Sequence, residues 1–267
     1  MATEPHLKIV IQPIGRVVQA GSEFRCKVFI KSEEDVDIRS IEASLYCIEG
    51  IKEKKELKRI VHWRETKLLA QEGIIRKDHP LAFKIEFQIP DNALPSAEGL
   101  RAHVHWCVET TVEDASGRVG VQRMPITVYN VPKSFEGRVF TEILDSINAQ
   151  VRIKPIIARG TYTGGELTLY ATKDIELAGI KVELVTLEET WNSRRTLEVL
   201  FKRTFRISDD KALKSGGTEK CDFNIPILPE IPPSYNGKHS RIRSYLILIL
   251  ERRGVDDYQI LVPLWIF

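Results

Sequence analysis

The sequence predicts an all-β protein made of two tandem antiparallel β-sandwich domains. Three observations carry this. Polar and apolar residues alternate with period two in many short runs, the pattern of a strand with one buried face. The chain repeats part of its own pattern about 138 residues further on. Helical patterns of the kind that link parallel strands in α/β folds are missing between these runs.

The strands follow in order. The first holds Lys8, Val10 and Gln12. Phe24-Arg25-Cys26-Lys27-Val28-Phe29-Ile30 alternates strictly, and residues 38–45, 83–87 and 180–184 do the same. Gly21, Gly99, Gly117, Gly164-Gly165 and Gly237 punctuate the runs as turn residues do. Phe87-Gln88-Ile89-Pro90 matches Phe223-Asn224-Ile225-Pro226, and Pro95-Ser96 with Gly99 matches Pro233-Ser234 with Gly237. From there the offset of 138 holds from Val104/Ile242 to Pro125/Pro263. Val10-Ile11-Gln12-Pro13 matches Arg152-Ile153-Lys154-Pro155 at 142, and residues 23–28 match 166–171 at 143. Loops therefore differ in length while strands correspond. Two long copies are not a solenoid, whose units run about 20–50 residues. The 267 residues divide into domains 1–131 and 132–267, with the boundary at 129–134, where Pro132 interrupts pairing. One segment departs from the strand pattern. Phe135, Val139, Phe140, Ile143, Leu144 and Ile147 recur at helical spacing after Ser134, a residue suited to an N-cap. Both a short helix and an extended connector fit residues 135–147.

Composition narrows the function. Hydrophobic residues make up 43% and charged residues 28%, a globular balance that can fill two cores. Of 39 Lys+Arg and 37 Asp+Glu, 19 of each sign fall in residues 1–132, so neither half has the basic excess of a nucleic-acid groove. No apolar run is long enough for a spanning helix, and the start has neither the basic residues nor the apolar run of a secretory leader. The four cysteines, Cys26, Cys47, Cys107 and Cys221, lack Cys-x-x-Cys spacing. Reduced buried thiols in the cytoplasm are expected, with a Cys26–Cys47 disulfide as the less favoured option.

Familiar catalytic signatures are absent: no Gly-x-x-x-x-Gly-Lys-Ser/Thr, no Gly-x-Ser-x-Gly, no His-Glu-x-x-His. That argues against those classes alone, since an active site can be assembled from scattered residues; no cofactor is assigned. His103-x-His105 places two imidazoles on one strand face, the spacing of a metal pair. The second half has Arg241 and Arg243 at those positions, which cannot ligate, so a polar or partner-facing surface is preferred and no metal is assigned. Lys52, Lys54, Lys55, Lys58 and Arg59 form a basic run able to meet an anionic ligand or an anionic membrane surface. Glu53 and Glu56 interrupt it, as in a solvated loop or strand edge. Glu33-Glu34-Asp35 with Asp37 lacks the glycine and ligand spacing of a calcium loop. Pro232-Pro233-Ser234-Tyr235 fits a WW-domain ligand pattern, but a loop shared by both copies is the preferred reading. Trp63, Trp106, Trp191 and Trp265 are expected in or beside the cores.

The run Pro232-Pro233-Ser234-Tyr235-Asn236-Gly237-Lys238-His239-Ser240-Arg241-Ile242-Arg243-Ser244-Tyr245-Leu246 resembles the arrestin-fold signature. In that family a Phe-x-Ile/Phe-Pro strand end leads to a Pro-Pro-Ser-Tyr/Phe-x-Gly loop, and a strand of an aromatic followed by aliphatics comes next. Residues 87–112 carry a weaker version. Alpha-arrestins, the retromer subunit Vps26 and bacterial Spo0M-like proteins show similar patterns. The resemblance implies a bilobed pair of immunoglobulin-like sandwiches that is not an enzyme and binds other proteins as a scaffold or adaptor in trafficking or signalling. The expected protein-binding residues are the first strand, with Lys8, Val10 and Gln12, or the face with Arg101, His103 and His105. The sequence ends with its last predicted strand, residues 260–267, so no tail carrying autoinhibitory or ligase-recruiting motifs is expected.

Overall fold

Alternation along the chain does place one face of each strand inside. In Glu23–Ser32, Phe24, Cys26, Val28 and Ile30 are buried while Glu23, Arg25 and Lys27 face water. The computed structural model describes residues 7–53, 56–132, 137–191 and 194–267. Among them every regular element is a strand. The strands are β1 (Leu7–Pro13), β2 (Val17–Gln19), β3 (Glu23–Ser32), β4 (Val36–Glu53), β5 (Glu56–Ile75), β6 (Leu81–Gln88), β7 (Ala97–Glu98), β8 (Ala102–Asp114), β9 (Val119–Tyr129) and β10 (Arg138–Ile143). They continue as β11 (Ile147–Ile153), β12 (Ile156–Ile157), β13 (Thr161–Ala171), β14 (Ile175–Trp191), β15 (Arg195–Ser208), β16 (Lys211–Leu213), β17 (Thr218–Ile227), β18 (Tyr235–Asn236), β19 (Ser240–Arg252) and β20 (Tyr258–Ile266).

The chain forms two compact units. One comprises Met1–Ser96 with His103–Asn130, the other Ala97–Ala102 with Val131–Phe267. The first unit holds a sheet of order β1-β3-β6 and a larger one of order β2-β9-β8-β4-β5. Its buried apolar residues come from β3 and β6 on one side, and from Ile41, Ala43, Leu45, Val104, Trp106 and Val108 of the larger sheet. Trp106 is 1% exposed, and its indole N–H donates to the Leu94 carbonyl at 2.7 Å. Trp63 stacks on it at a tilt, with centroids 5.6 Å apart. Trp63, Trp191 and Trp265 are half-buried.

The second unit repeats this strand order with β10 added at one edge. Its sheets run β10-β11-β13-β17 and β12-β20-β19-β14-β15. A single core joins Val151 of β11, Leu167 of β13 and Phe223 of β17 to Val182 of β14, Leu248 of β19 and Val262 of β20, so two sheets face each other across it. Even the short parallel pairs correspond: β2 with β9, and β12 with β20. The loop match at offset 138 has a structural basis. Ser96 N–H donates to the Val128 carbonyl at 2.7 Å, and Val128 N–H donates back to Ser96 Oγ at 3.0 Å. Ser234 and Ile266 repeat this exchange at 2.7 and 3.1 Å. The next residue, Tyr235, is fully buried, with its hydroxyl 2.7 Å from Ser240 Oγ.

The segment read as helix or extended connector is extended. β10 pairs antiparallel with β11, matching Val139 to Arg152 and Phe140 to Val151. Ser134, the candidate N-cap, and Phe135 lie outside the described residues. The edge of β11 gives this stretch backbone partners, and Phe140 and Leu144 pack on the core while Ile143 stays 79% exposed. All four cysteines are free thiols; Cys26, Cys47 and Cys221 are buried and Cys107 is half-buried. The acidic run between β3 and β4 forms a turn in which Asp35 accepts the Lys77 N–H at 2.7 Å.

Candidate functional site

The site grows from the outward face of the larger sheet in the first unit. On β8, residues 103, 105, 107 and 109 point away from the core that takes Val104, Trp106 and Val108. Pairing then sets their neighbours. Glu109 lies opposite Arg123 of β9, and Tyr46 of β4 lies opposite Arg64 of β5. The result is an open groove of about 500 Å³ with Tyr46, Arg59, Arg64, His103, His105 and Arg123 as its polar lining. Ile48, Leu57 and Val61 add apolar floor.

Charge in the groove is uneven. Glu109 is the one acidic side chain among the described lining residues. It binds Arg123 at 2.6 Å and lies 3.9 Å from Arg64. This pairing holds the Arg123 guanidinium above its ordinary range. Burial and the neighbouring Cys107 thiol push the Tyr46 phenol up to about 12, so it stays protonated and can donate. The His103 and His105 rings meet edge to face with centroids 4.5 Å apart. Gly50 makes room for them: a Cβ there would lie 2.0 Å from His103 Nε2.

Of the residues singled out from sequence, the groove brings together His103, His105 and Arg59. Arg101 is turned elsewhere. Its guanidinium meets Glu198 at 2.6 Å, and its N–H donates to Glu188 at 2.9 Å. Alternation along β5 puts Lys58 on the face opposite to Arg59, in register with Ile51. Lys52 is exposed near the end of β4, and Lys54 and Lys55 lie outside the described residues. Lys8, Val10 and Gln12 are exposed on β1, an edge strand that pairs with β3. Lys8 lines a separate polar depression with Lys31, Lys77 and Asp78. In the second unit the His103 position is Arg241, which is bonded to Glu189 and lies 5.3 Å from the Trp191 ring centre.

Sequence reasoning missed Tyr46, Arg64, Glu109 and Arg123. Period-two extension of the His-x-His face would have reached Cys107 and Glu109. Arg64 and Arg123 depend on strand pairing, for which a single sequence has no local signal. Compared with known proteins, the chain matches no family model and no curated protein.

Proposed function

We propose that the chain is a non-enzymatic, arrestin-like scaffold or adaptor of two immunoglobulin-like sandwiches, and that the groove of its first unit holds an acidic, extended segment of a partner protein in the cytoplasm. The groove carries this reading. Three arginines and two histidines surround a single carboxylate that is already engaged by Arg123, so the lining has a net positive charge. Leu57 and Val61, exposed by 40% and 58%, supply apolar contact beside it. The repeated strand order and the paired Ser96 and Ser234 loops support the arrestin-like reading. Exposed polar grooves gain specificity and association rate from charge complementarity.

The test is capture of partners by the wild-type chain and by an Arg59→Glu/His105→Glu variant. A partner whose bound segment is acidic should be retained by the wild type, be lost from the variant, and weaken as salt rises. A partner held equally by both proteins at all salt concentrations overturns the groove as the binding surface.

A further inference from the structure

We propose that a pocket in the second unit binds a small aromatic carboxylic acid in its ionised form. The pocket holds about 250 Å³, and its described lining belongs wholly to that unit. On β19, Arg243 and Tyr245 stand two residues apart and so share one strand face. That face is opposite to the one that buries Ile242, Ser244 and Leu246. On β20, Pro263 lies in register with Tyr245, and Trp265 follows two residues later. Arg138 and Phe140, again two apart, line the pocket from β10. Three aromatic rings and two guanidinium groups thus meet at one site. No acidic side chain is among the described lining residues, so the lining is net positive. Arginine can grip a carboxylate through two parallel hydrogen bonds, which selects a planar anion. Sites for drug-sized ligands run about 300–1,000 Å³, so this smaller volume favours a single ring with its acid on a short arm.

The first unit supplies a comparison within the same chain. At the offset of 138, Arg243, Tyr245 and Trp265 stand where the first unit has His105, Cys107 and Thr127. The frame around them is the same: Tyr245 pairs with Pro263 as Cys107 pairs with Pro125. The β10 side has no counterpart among the described residues, because the smaller sheet of the first unit ends at β1. Two rings, a permanent cation and an added strand with a third ring and a second cation therefore converge on one pocket. The strand frame needs none of these changes, since the first unit forms it without them. Two serines of the lining are already engaged. Ser234 Oγ accepts the Ile266 N–H at 3.1 Å, and Ser244 Oγ lies 2.9 Å from Thr186 Oγ1. Recognition of the anion therefore falls to the arginines.

The experiment titrates the full chain with phenylacetate, followed by ligand-observed NMR and by tryptophan emission. The wild type should bind it saturably at one site and should bind neutral phenylacetamide at least about tenfold more weakly. Arg138→Gln/Arg243→Gln should weaken phenylacetate by at least about tenfold, the loss expected when charge-assisted hydrogen bonds are removed. Both arginines are exposed, so this variant leaves the core intact. Trp265→Thr, which installs the residue of the first unit, should also weaken binding, and Trp265→Phe should abolish the emission change. Arg59→Glu/His105→Glu, in the groove of the first unit, should leave binding unchanged, which keeps this outcome separate from that of the groove. Unfolding curves establish that each variant is folded. No saturable binding by the wild type, equal binding of acid and amide, or unchanged affinity in the double arginine variant overturns the site. An emission change that survives Trp265→Phe overturns its location. Tighter binding of acetyl-Gly-Gly-Phe than of phenylacetate overturns the small acid as occupant in favour of the C-terminus of a peptide.

Discussion

The Glu188 carboxylate accepts the backbone N–H of Ala102 at 2.8 Å through one oxygen and that of Arg101 at 2.9 Å through the other. Glu188 is 1% exposed, so these donors replace the water that an ionised group would otherwise require. Gly99 closes over it: a Cβ there would lie 2.1 Å from Glu188 Oε1 and 3.0 Å from the Ala102 carbonyl. Glu188→Gln turns an amide N–H toward one of the two backbone donors and should cost about 1–3 kcal/mol, read from denaturant unfolding. Gly99→Ala should destabilise as well, because backbone as well as side chain stands in the way. Full stability in both variants would show that this carboxylate does not hold the 97–102 segment.

The paired serines should behave alike but unequally. Removing Oγ from Ser234 leaves the Ile266 N–H without its acceptor in a buried setting, at about 1–3 kcal/mol. The Ser96–Val128 bond is only part-buried, so its loss should cost less. Thermal unfolding should therefore rank Ser234→Ala below Ser96→Ala, and the reverse order would contradict the assigned roles.

Acid should act through Asp114. Hydrogen bonds from Ser116, then those from Arg118, hold its carboxyl at about 2, below the usual carboxylate range, although burial opposes this. A depressed folded value means that the stabilisation is complete above the unfolded value of about 4 and is lost as pH falls toward 2. Asp114→Asn should lower the unfolding midpoint at pH 7 and flatten its fall between pH 4 and 2. A parallel pH profile in the variant would exclude Asp114 as the group responsible.

Thiol chemistry should report burial. Desolvation pushes Cys26 up to about 11, and desolvation with the nearby Glu49 charge pushes Cys47 up to about 12. Thiolates are the reactive form, so both should resist alkylation at pH 8 in the native chain and react on unfolding. Half-buried Cys107 is also raised, chiefly by burial, but should be the first to label. Mass spectrometry of a timed reaction checks the order; early labelling of Cys47 would mean that its strand opens.

The all-β character and the inward faces of the strands were legible in sequence, because period-two alternation is written locally and burial follows it. The pattern of β3 needs no other part of the chain to be read. The correspondence of Ser96 with Ser234 was visible as a repeated loop, although its basis, the exchange with Val128 and Ile266, required knowing which strands lie side by side.

Other features depended on partners distant in sequence. Helical spacing between Phe135 and Ile147 competed with the free edge of β11, and pairing at that edge made β10 a strand. The basic run looked like one patch until alternation sent Lys58 and Arg59 to opposite faces. Arg101 looked like a neighbour of His103 until Glu188 and Glu198 drew it away. The sequence by itself determined strands, their inward faces and a repeated pattern, since each rests on residues a few positions apart. The tertiary structure alone decided the groove and the residues that line it. These depend on how strands and turns bring side chains together, and one sequence does not spell out that pairing.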